Sequence, residues 1–132
     1  MDKEIILNHV SVVFAETTDQ GFGKSLTIDC TEPDLEACIR KWAEANKYDN
    51  LKIKDYTDKE GKTTKQATFK FSKFINIAGK DGATEKDLSR GAVVNMIVKA
   101  YEYNNISSGI SASISNIFIV EKGKSKMASI SE

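Results

Sequence analysis

A chain of 132 residues can bury roughly two thirds of its unfolded surface in one hydrophobic core and is too short for two such cores to be the default. Apolar residues at 40% and charged residues at 29% exclude a disordered segment; with no apolar run near the roughly 20 residues of a membrane span and no signal-peptide pattern after Met1-Asp2-Lys3-Glu4, a cytosolic protein is expected. Nineteen basic and nineteen acidic side chains cancel overall but not locally: residues 1–51 carry five basic against ten acidic, 52–99 eleven against six, and 100–132 three of each, which leaves a positive middle segment able to set up a local field.

The alternation from Glu4 to Thr18 predicts a long first strand with Ile6, Val10, Val12 and Phe14 on one side and Leu7, Val13 and Ala15 on the other. Asp19-Gln20-Gly21-Phe22-Gly23 supplies a turn, and Ser25–Asp29 reads as the returning strand of a hairpin. One helix is predicted from about Glu32 to Asn46, with Leu35, Cys38, Ile39, Trp42 and Ala45 as its apolar stripe, Thr31 as N-cap and Pro33 in the first turn. On that stripe Trp42 faces inward; a base-stacking role is its alternative.

After Lys47 the period returns to two. Leu51 and Ile53 alternate with Lys52, Lys54 and Tyr56, and Asp58-Lys59-Glu60-Gly61 makes a hairpin loop. A long strand starts near Thr63, with Ala67, Phe69 and Phe71 on one face and Gln66, Thr68, Lys70, Ser72 and Phe74 on the other; the loss of parity around Lys73–Ile77 predicts a bulge. Gly79–Gly91, with three glycines and high charge, reads as a mobile connecting loop. Ala92–Tyr103 is the next strand, with Val94, Met96, Val98 and Ala100 inward and Asn95, Lys99, Tyr101 and Tyr103 on the polar face. A turn at Asn104–Gly109 leads to a last strand, Ile110–Glu121, with Ile110, Ala112, Ile114 and Phe118 sharing a side. The expectation is a mainly β chain with one helix, a five- to six-stranded antiparallel, partly open barrel: one domain over residues 1–121 and a flexible tail over 122–132.

The chemistry of catalysis is poorly represented. His9 is the single histidine, no nucleophile elbow, phosphate-binding loop or His-Glu-x-x-His pair occurs, and Cys30 and Cys38 read as small buried apolar residues, too few with one histidine for structural zinc. Asp55, Asp58 and Glu60 sit among lysines at a hairpin tip and read as a solvated turn. No cofactor or metal is expected, and no enzyme activity. Single-stranded nucleic acid, by contrast, requires cations along a groove and exposed rings. Strand parity places Lys52, Lys54 and Tyr56 on one face, Lys70 and Phe74 on another, and Lys99, Tyr101 and Tyr103 on a third; Lys65 and Lys80 complete the candidate set. Lysines that discourage edge-to-edge aggregation are the competing explanation.

The stretch Asp87–Asn105, which includes Arg90-Gly91-Ala92-Val93-Val94-Asn95-Met96 and ends in Tyr101-Glu102-Tyr103, is followed by Gly109-Ile110-Ser111-Ala112-Ser113-Ile114-Ser115-Asn116-Ile117. It resembles the C-terminal half of the OB-fold single-stranded-DNA-binding proteins of tailed bacteriophages, most of all the small lactococcal-phage type. The resemblance covers about a quarter of the chain. It implies an OB-like barrel, sequence-tolerant binding of single-stranded DNA, a homodimer or higher homo-oligomer, and a role in phage DNA replication or recombination, with a strand-exchange recombinase as a possible partner and the bacterial host cytoplasm as location. A phage structural or protein-interaction module on the same sheet is the alternative. Two features depart from the pattern: the helix follows the second strand instead of the third, and after Glu121 the chain has Lys122, Lys124 and Lys126 with Glu132 as its only acid, so recruitment of partners through an acidic tail is not expected.

Overall fold

The computed structural model describes residues 3–17, 24–104 and 108–123, except for the side chains of residues 73, 74, 103, 104 and 108. The predicted turn at Asp19–Gly23, most of the turn after Asn104, the tail from Lys124 onward, and the rings of Phe74 and Tyr103 therefore lie outside the described residues. The described residues form six strands and one α-helix: β1 (Glu4–Glu16), β2 (Lys24–Asp29), α1 (Pro33–Ala45), β3 (Ile53–Thr57), β4 (Thr63–Gly79), β5 (Val93–Asn104) and β6 (Ser108–Glu121). The sheet order is β2-β1-β5-β6-β4-β3, and an added β2–β4 pairing closes five strands into a ring, with β3 attached outside it as the hairpin partner of β4. Neighbours in the ring are antiparallel except β4 and β6, which run parallel. This is an OB-like arrangement. The helix enters after the second strand of the ring, and the link between the third and fourth carries two short 3₁₀ turns, Lys80–Gly82 and Glu85–Asp87.

Inward residues of β2, β4 and β5 follow strict alternation. Leu26 and Ile28, Ala67, Phe69 and Phe71, and Val94, Met96 and Val98 are all buried. Two strands depart from the expected parity because bulges interrupt them. In β1, Asn8 and His9 together oppose Asn95, with His9 at φ 54° and its backbone N–H donating to Asn95 Oδ1 at 2.8 Å; Leu7 and Val10 both point inward as a result, and Ile6 points out. A second irregularity at Val13 turns Phe14 outward while Val12 stays in the core. In β6, Ser115 is the extra residue opposite Ile97–Val98, so Ile114, Ile117 and Ile119 are buried and Phe118, expected inward, is exposed. The bulge expected near Lys73–Ile77 is present, between Phe71 and Asn76 in the pairing with β6.

Helix α1 closes one end of the ring through Ile39, Trp42 and Ala43. The Trp42 indole donates to the carbonyl of Lys3 at 3.1 Å and meets the ring of Tyr48 edge-on, so the tryptophan is a packing residue. Cys38 and Ala45, expected on the buried stripe, are exposed, whereas Cys30 is buried. Thr31 is not the cap. Its hydroxyl donates to Asp29 and accepts the backbone N–H of Lys65, and Glu32 occupies the N-cap position without a side-chain bond. The first turns of the helix are tied to β4 by Glu36, which pairs with Arg40 and with Lys65. The segment expected to be a mobile loop is built: Thr84 and Asp87 form a reciprocal capping box, and Ala83 and Leu88 are buried. The chain stays against this turn through Gly123, whose N–H donates to the Asp87 carbonyl.

Candidate nucleic-acid interface

Register places the outward side chains of β1, β2, β4 and β3 in three rows. Tyr56 lies opposite Thr64; Lys54 and Asp29 lie on either side of Gln66; Phe14, Thr27 and Thr68 form the third row, with the two threonine hydroxyls 2.8 Å apart. The rows are spaced by two residues of β4, about 7 Å. Phe14 and Tyr56 are each 57% exposed, which large rings are not unless the surface has a use for them or simply tolerates them.

These rows form the floor of a continuous furrow. At one end a groove of about 560 Å³ lies between Ser11–Phe14, Arg90, Gly91, Tyr56, Asp58, Gln66 and Asp29. Through Phe14 and Gln66 it joins a second groove with Lys52, Lys54, Thr27 and Thr68, and through Lys52 and Thr68 a third with Tyr48, Asn50, Lys70 and Ser111. Gly91 sets one end of this path: at φ 94° it makes a turn that a side chain would strain, its N–H donates to the Val12 carbonyl, and Arg90 is thereby placed at the mouth of the groove.

Four of the sequence-predicted residues, Lys52, Lys54, Tyr56 and Lys70, share this furrow. Lys99 continues it, because Lys70, Ser113 and Lys99 are in register across β4, β6 and β5, and Tyr101 pairs with Ser111 of the third groove beside the end of α1. Lys65 is not brought there; it points toward the helix and its ammonium lies 3.1 Å from Glu36. Lys80 is exposed in the first 3₁₀ turn, beyond the end of β4 remote from the furrow. The backbones of Phe74 and Tyr103 run in β4 and β5. Sequence reasoning missed Phe14, which the Val13 irregularity turns outward, and Arg90, which only the Gly91 turn locates.

Lys52, Lys54, Lys70, Lys99 and Arg90 make no salt bridge among the described residues, so their charge is available. Glu36, by contrast, is held below the ordinary carboxylate range by its hydrogen bonds to Arg40 and Lys65. Burial, with the nearby Tyr101, raises the Tyr48 hydroxyl and keeps it a phenol. Burial likewise pushes the Cys30 thiol up to about 11, helped by Glu36 and Asp29. No group of three or more His, Cys, Asp or Glu side chains that could hold a metal ion exists among the described residues. Nor is any described helix long and apolar enough to cross a membrane.

The whole architecture has counterparts among solved structures. Three are of the single-stranded DNA-binding protein of bacteriophage Enc34: the protein itself (TM-score 0.65, 14% identity, 94% of this chain and 84% of that one), a C-terminal truncation (0.63, 15%, 92% and 88%) and a complex with single-stranded DNA (0.64, 14%, 94% and 89%). The chain has the fold of a phage single-stranded-DNA-binding protein. No protein-family model matches it, and no curated protein is significantly similar in sequence. At 14–15% identity the likeness concerns the path of the backbone over nearly the whole chain, not the side chains of the furrow.

Proposed function

We propose that this protein binds single-stranded DNA with little dependence on sequence, and without cutting it, during phage DNA replication or recombination in the bacterial host cytoplasm. The observation that carries the proposal is the furrow over β1, β2, β4 and β3, where Lys52, Lys54, Lys70 and Arg90, without a salt bridge among the described residues, lie along the same path as the outward rings of Phe14 and Tyr56. Cations supply a sequence-blind attraction for phosphates and rings a sequence-tolerant surface for bases. The Enc34 protein, similar in fold, was solved with single-stranded DNA bound. Titration of labelled oligonucleotides at low and moderate salt tests the reading. Saturable binding at low salt that weakens as salt rises is expected, and no binding at low salt would remove it; an oligonucleotide left intact after incubation with magnesium is the companion result for a non-catalytic protein.

Self-association belongs to the same proposal, most simply as a dimer of domains spanning residues 1–121, each followed by a tail. It is supported by a surface away from the furrow on β1, β5, β6 and β4, where Ile6 (62% exposed) and Phe118 (41%) flank Asn76, Asn95 and Asn116 with no charged side chain in the groove between them. An uncharged, amide-rich patch can meet a copy of itself, since amides both donate and accept and no like charges are opposed. The mass in solution at tens of micromolar decides this point. Cooperation with a strand-exchange recombinase rests on the sequence resemblance alone and is tested by co-precipitation with the recombinase of the same phage.

A further inference from the structure

The furrow is not uniformly basic. Its middle row sets Asp29 directly opposite Gln66, and Asp58 lines the same groove, so two carboxylates lie on the floor of a surface that must accept a polyanion. Both acids have structural duties that use only one oxygen. Asp29 Oδ1 accepts the backbone N–H of Thr31 at 2.8 Å and the Thr31 hydroxyl; Asp58 Oδ1 accepts the backbone N–H groups of Glu60 and Lys62, each at 2.9 Å. The second oxygen of each has no hydrogen bond among the described residues.

Placement gives those oxygens a meaning if the furrow holds single-stranded DNA, the reading on which this inference rests. The rings occupy the two outer rows, Tyr56 in one and Phe14 in the other, and the row with Asp29, Gln66 and Lys54 runs between them. Phosphates are repelled from the carboxylates and drawn to Lys52, to Arg90 and to Lys54 at the β3 end of the middle row, so a strand lying here turns its bases toward the floor between them. A base stacked on either ring then presents its edge to the middle row. A carboxylate can only accept hydrogen bonds, and cytosine offers it the exocyclic N4 amino group, whereas thymine has a single N3–H between two carbonyl oxygens that repel it.

We propose that the groove between Tyr56 and Phe14 reads base edges through Asp29, seconded by Asp58, and favours cytosine over thymine. Gln66, an amide that donates and accepts, tolerates either base and keeps the preference moderate. Comparing two pyrimidines isolates the edge, because their rings are of one size and their backbones identical.

The experiment uses the full chain and labelled oligo-dC and oligo-dT of about 12 nucleotides, within the length that one OB fold covers, at neutral pH and low salt, followed by fluorescence anisotropy. The wild-type protein is expected to bind oligo-dC about fivefold more tightly than oligo-dT, the lower limit of discrimination by a base-edge contact and a bias laid over binding that accepts every base. Asp29→Asn retains Oδ1 for Thr31 and replaces the free acceptor by an amino donor; the ratio should fall to about twofold or less through loss of oligo-dC affinity with oligo-dT affinity kept or improved. Asp58→Asn should shift the ratio in the same direction by less. Equal affinities in the wild type overturn the inference without touching the proposed function. So does Asp29→Asn tightening both oligonucleotides alike, which would make the acid a phosphate repellent only. Failure of the wild type to bind either one removes the proposed function and this inference together. The wild-type ratio needs no variant, so a variant that loses its melting transition leaves the test intact.

Discussion

Phe14 and Phe69 are one side chain in opposite circumstances: the first is 57% exposed beside lysines, the second 1% exposed in the centre of the ring. Truncation should separate them cleanly. Phe14→Ala and Tyr56→Ala should leave the melting temperature nearly unchanged and weaken oligonucleotide binding roughly ten- to a hundredfold, since stacking on a ring contributes about 1–3 kcal/mol per base. Phe69→Ala should instead cost about 3–5 kcal/mol of stability through the cavity it leaves, with binding reduced only as far as the folded fraction falls. Thermal melts and binding isotherms on the same samples check both halves. The cysteines offer a second contrast. Cys38 is exposed on α1, whereas burial holds the Cys30 thiol at about 11 against an ordinary 9.0, which keeps it protonated and out of reach. Iodoacetamide at mildly alkaline pH should therefore add one label to the folded protein and two to the unfolded one. The same shift has a sign for stability: between 9.0 and about 11 the unfolded chain gives up this proton more readily than the folded one, so the contribution of Cys30 to stability is intact below that window and declines as pH rises through it.

At the scale of elements, close approach matters as much as propensity. Gly79 ends β4 with φ −176°, a conformation open to any residue, yet a Cβ there would lie 2.7 Å from Ala83 Cβ, 2.8 Å from Ile119 Cβ and 2.9 Å from the Ile119 carbonyl. Gly79→Ala should thus cost about 1–3 kcal/mol by overpacking, seen as a fall of several degrees in the melting temperature with the affinity of the folded protein unchanged. What the sequence disclosed about elements follows the same physics. Strands β4 and β5 were legible because Ala67, Phe69 and Phe71, and Val94, Met96 and Val98, run without interruption on one face. Strands β1 and β6 were legible in extent but not in orientation, because the extra residues at His9, Val13 and Ser115 exchange the faces partway and nothing in the hydropathy of those residues announces it. The helix was found, but its cap was not: the Thr31 hydroxyl is claimed by Asp29 and by the Lys65 backbone, partners that local sequence does not reveal. Between Gly79 and Gly91 three glycines and high charge masked a local signal that was present, the Thr84-x-x-Asp87 spacing of a capping box.

For the whole molecule, the proposed function requires a chain of zero net charge to attract a polyanion, and the pairing of its charges supplies a way to do so. Lys24 pairs with Glu85, and Lys65 and Arg40 with Glu36; the furrow keeps Lys52, Lys54, Lys70 and Arg90 without a salt-bridge partner among the described residues on one side of the ring. A Debye length of about 8 Å in physiological salt makes that side respond to its own charges and not to the acids elsewhere. Most of the site was legible in the sequence: alternation put Lys52, Lys54 and Tyr56 on one face and Lys70 on a face that the β3–β4 hairpin brings beside them, whereas Arg90 and Phe14 depended on a turn and a bulge. Binding should then depend on salt with a log–log slope of about −0.7 for each phosphate contact on a single strand. Replacing Lys52, Lys54 and Lys70 together by Ala removes up to three contacts and should flatten the slope by about 2, while Arg90→Ala flattens it by about 0.7. Lys65→Ala is the control of equal charge. It leaves Glu36 paired with Arg40 alone, so the melting temperature should fall slightly and the Glu36 carboxyl should move only part of the way back toward the ordinary carboxylate range, but the slope should stay as it was because Lys65 faces the helix. Lys99→Ala tests how far the path extends, since Lys99 lies two strands beyond Lys70 through Ser113. With oligonucleotides just long enough to cover the furrow its loss should change nothing; with longer ones it should flatten the slope as a furrow lysine does. Equal flattening by Lys65→Ala and by any furrow lysine would show the attraction to be diffuse, and the furrow would lose its claim to be the path of the strand.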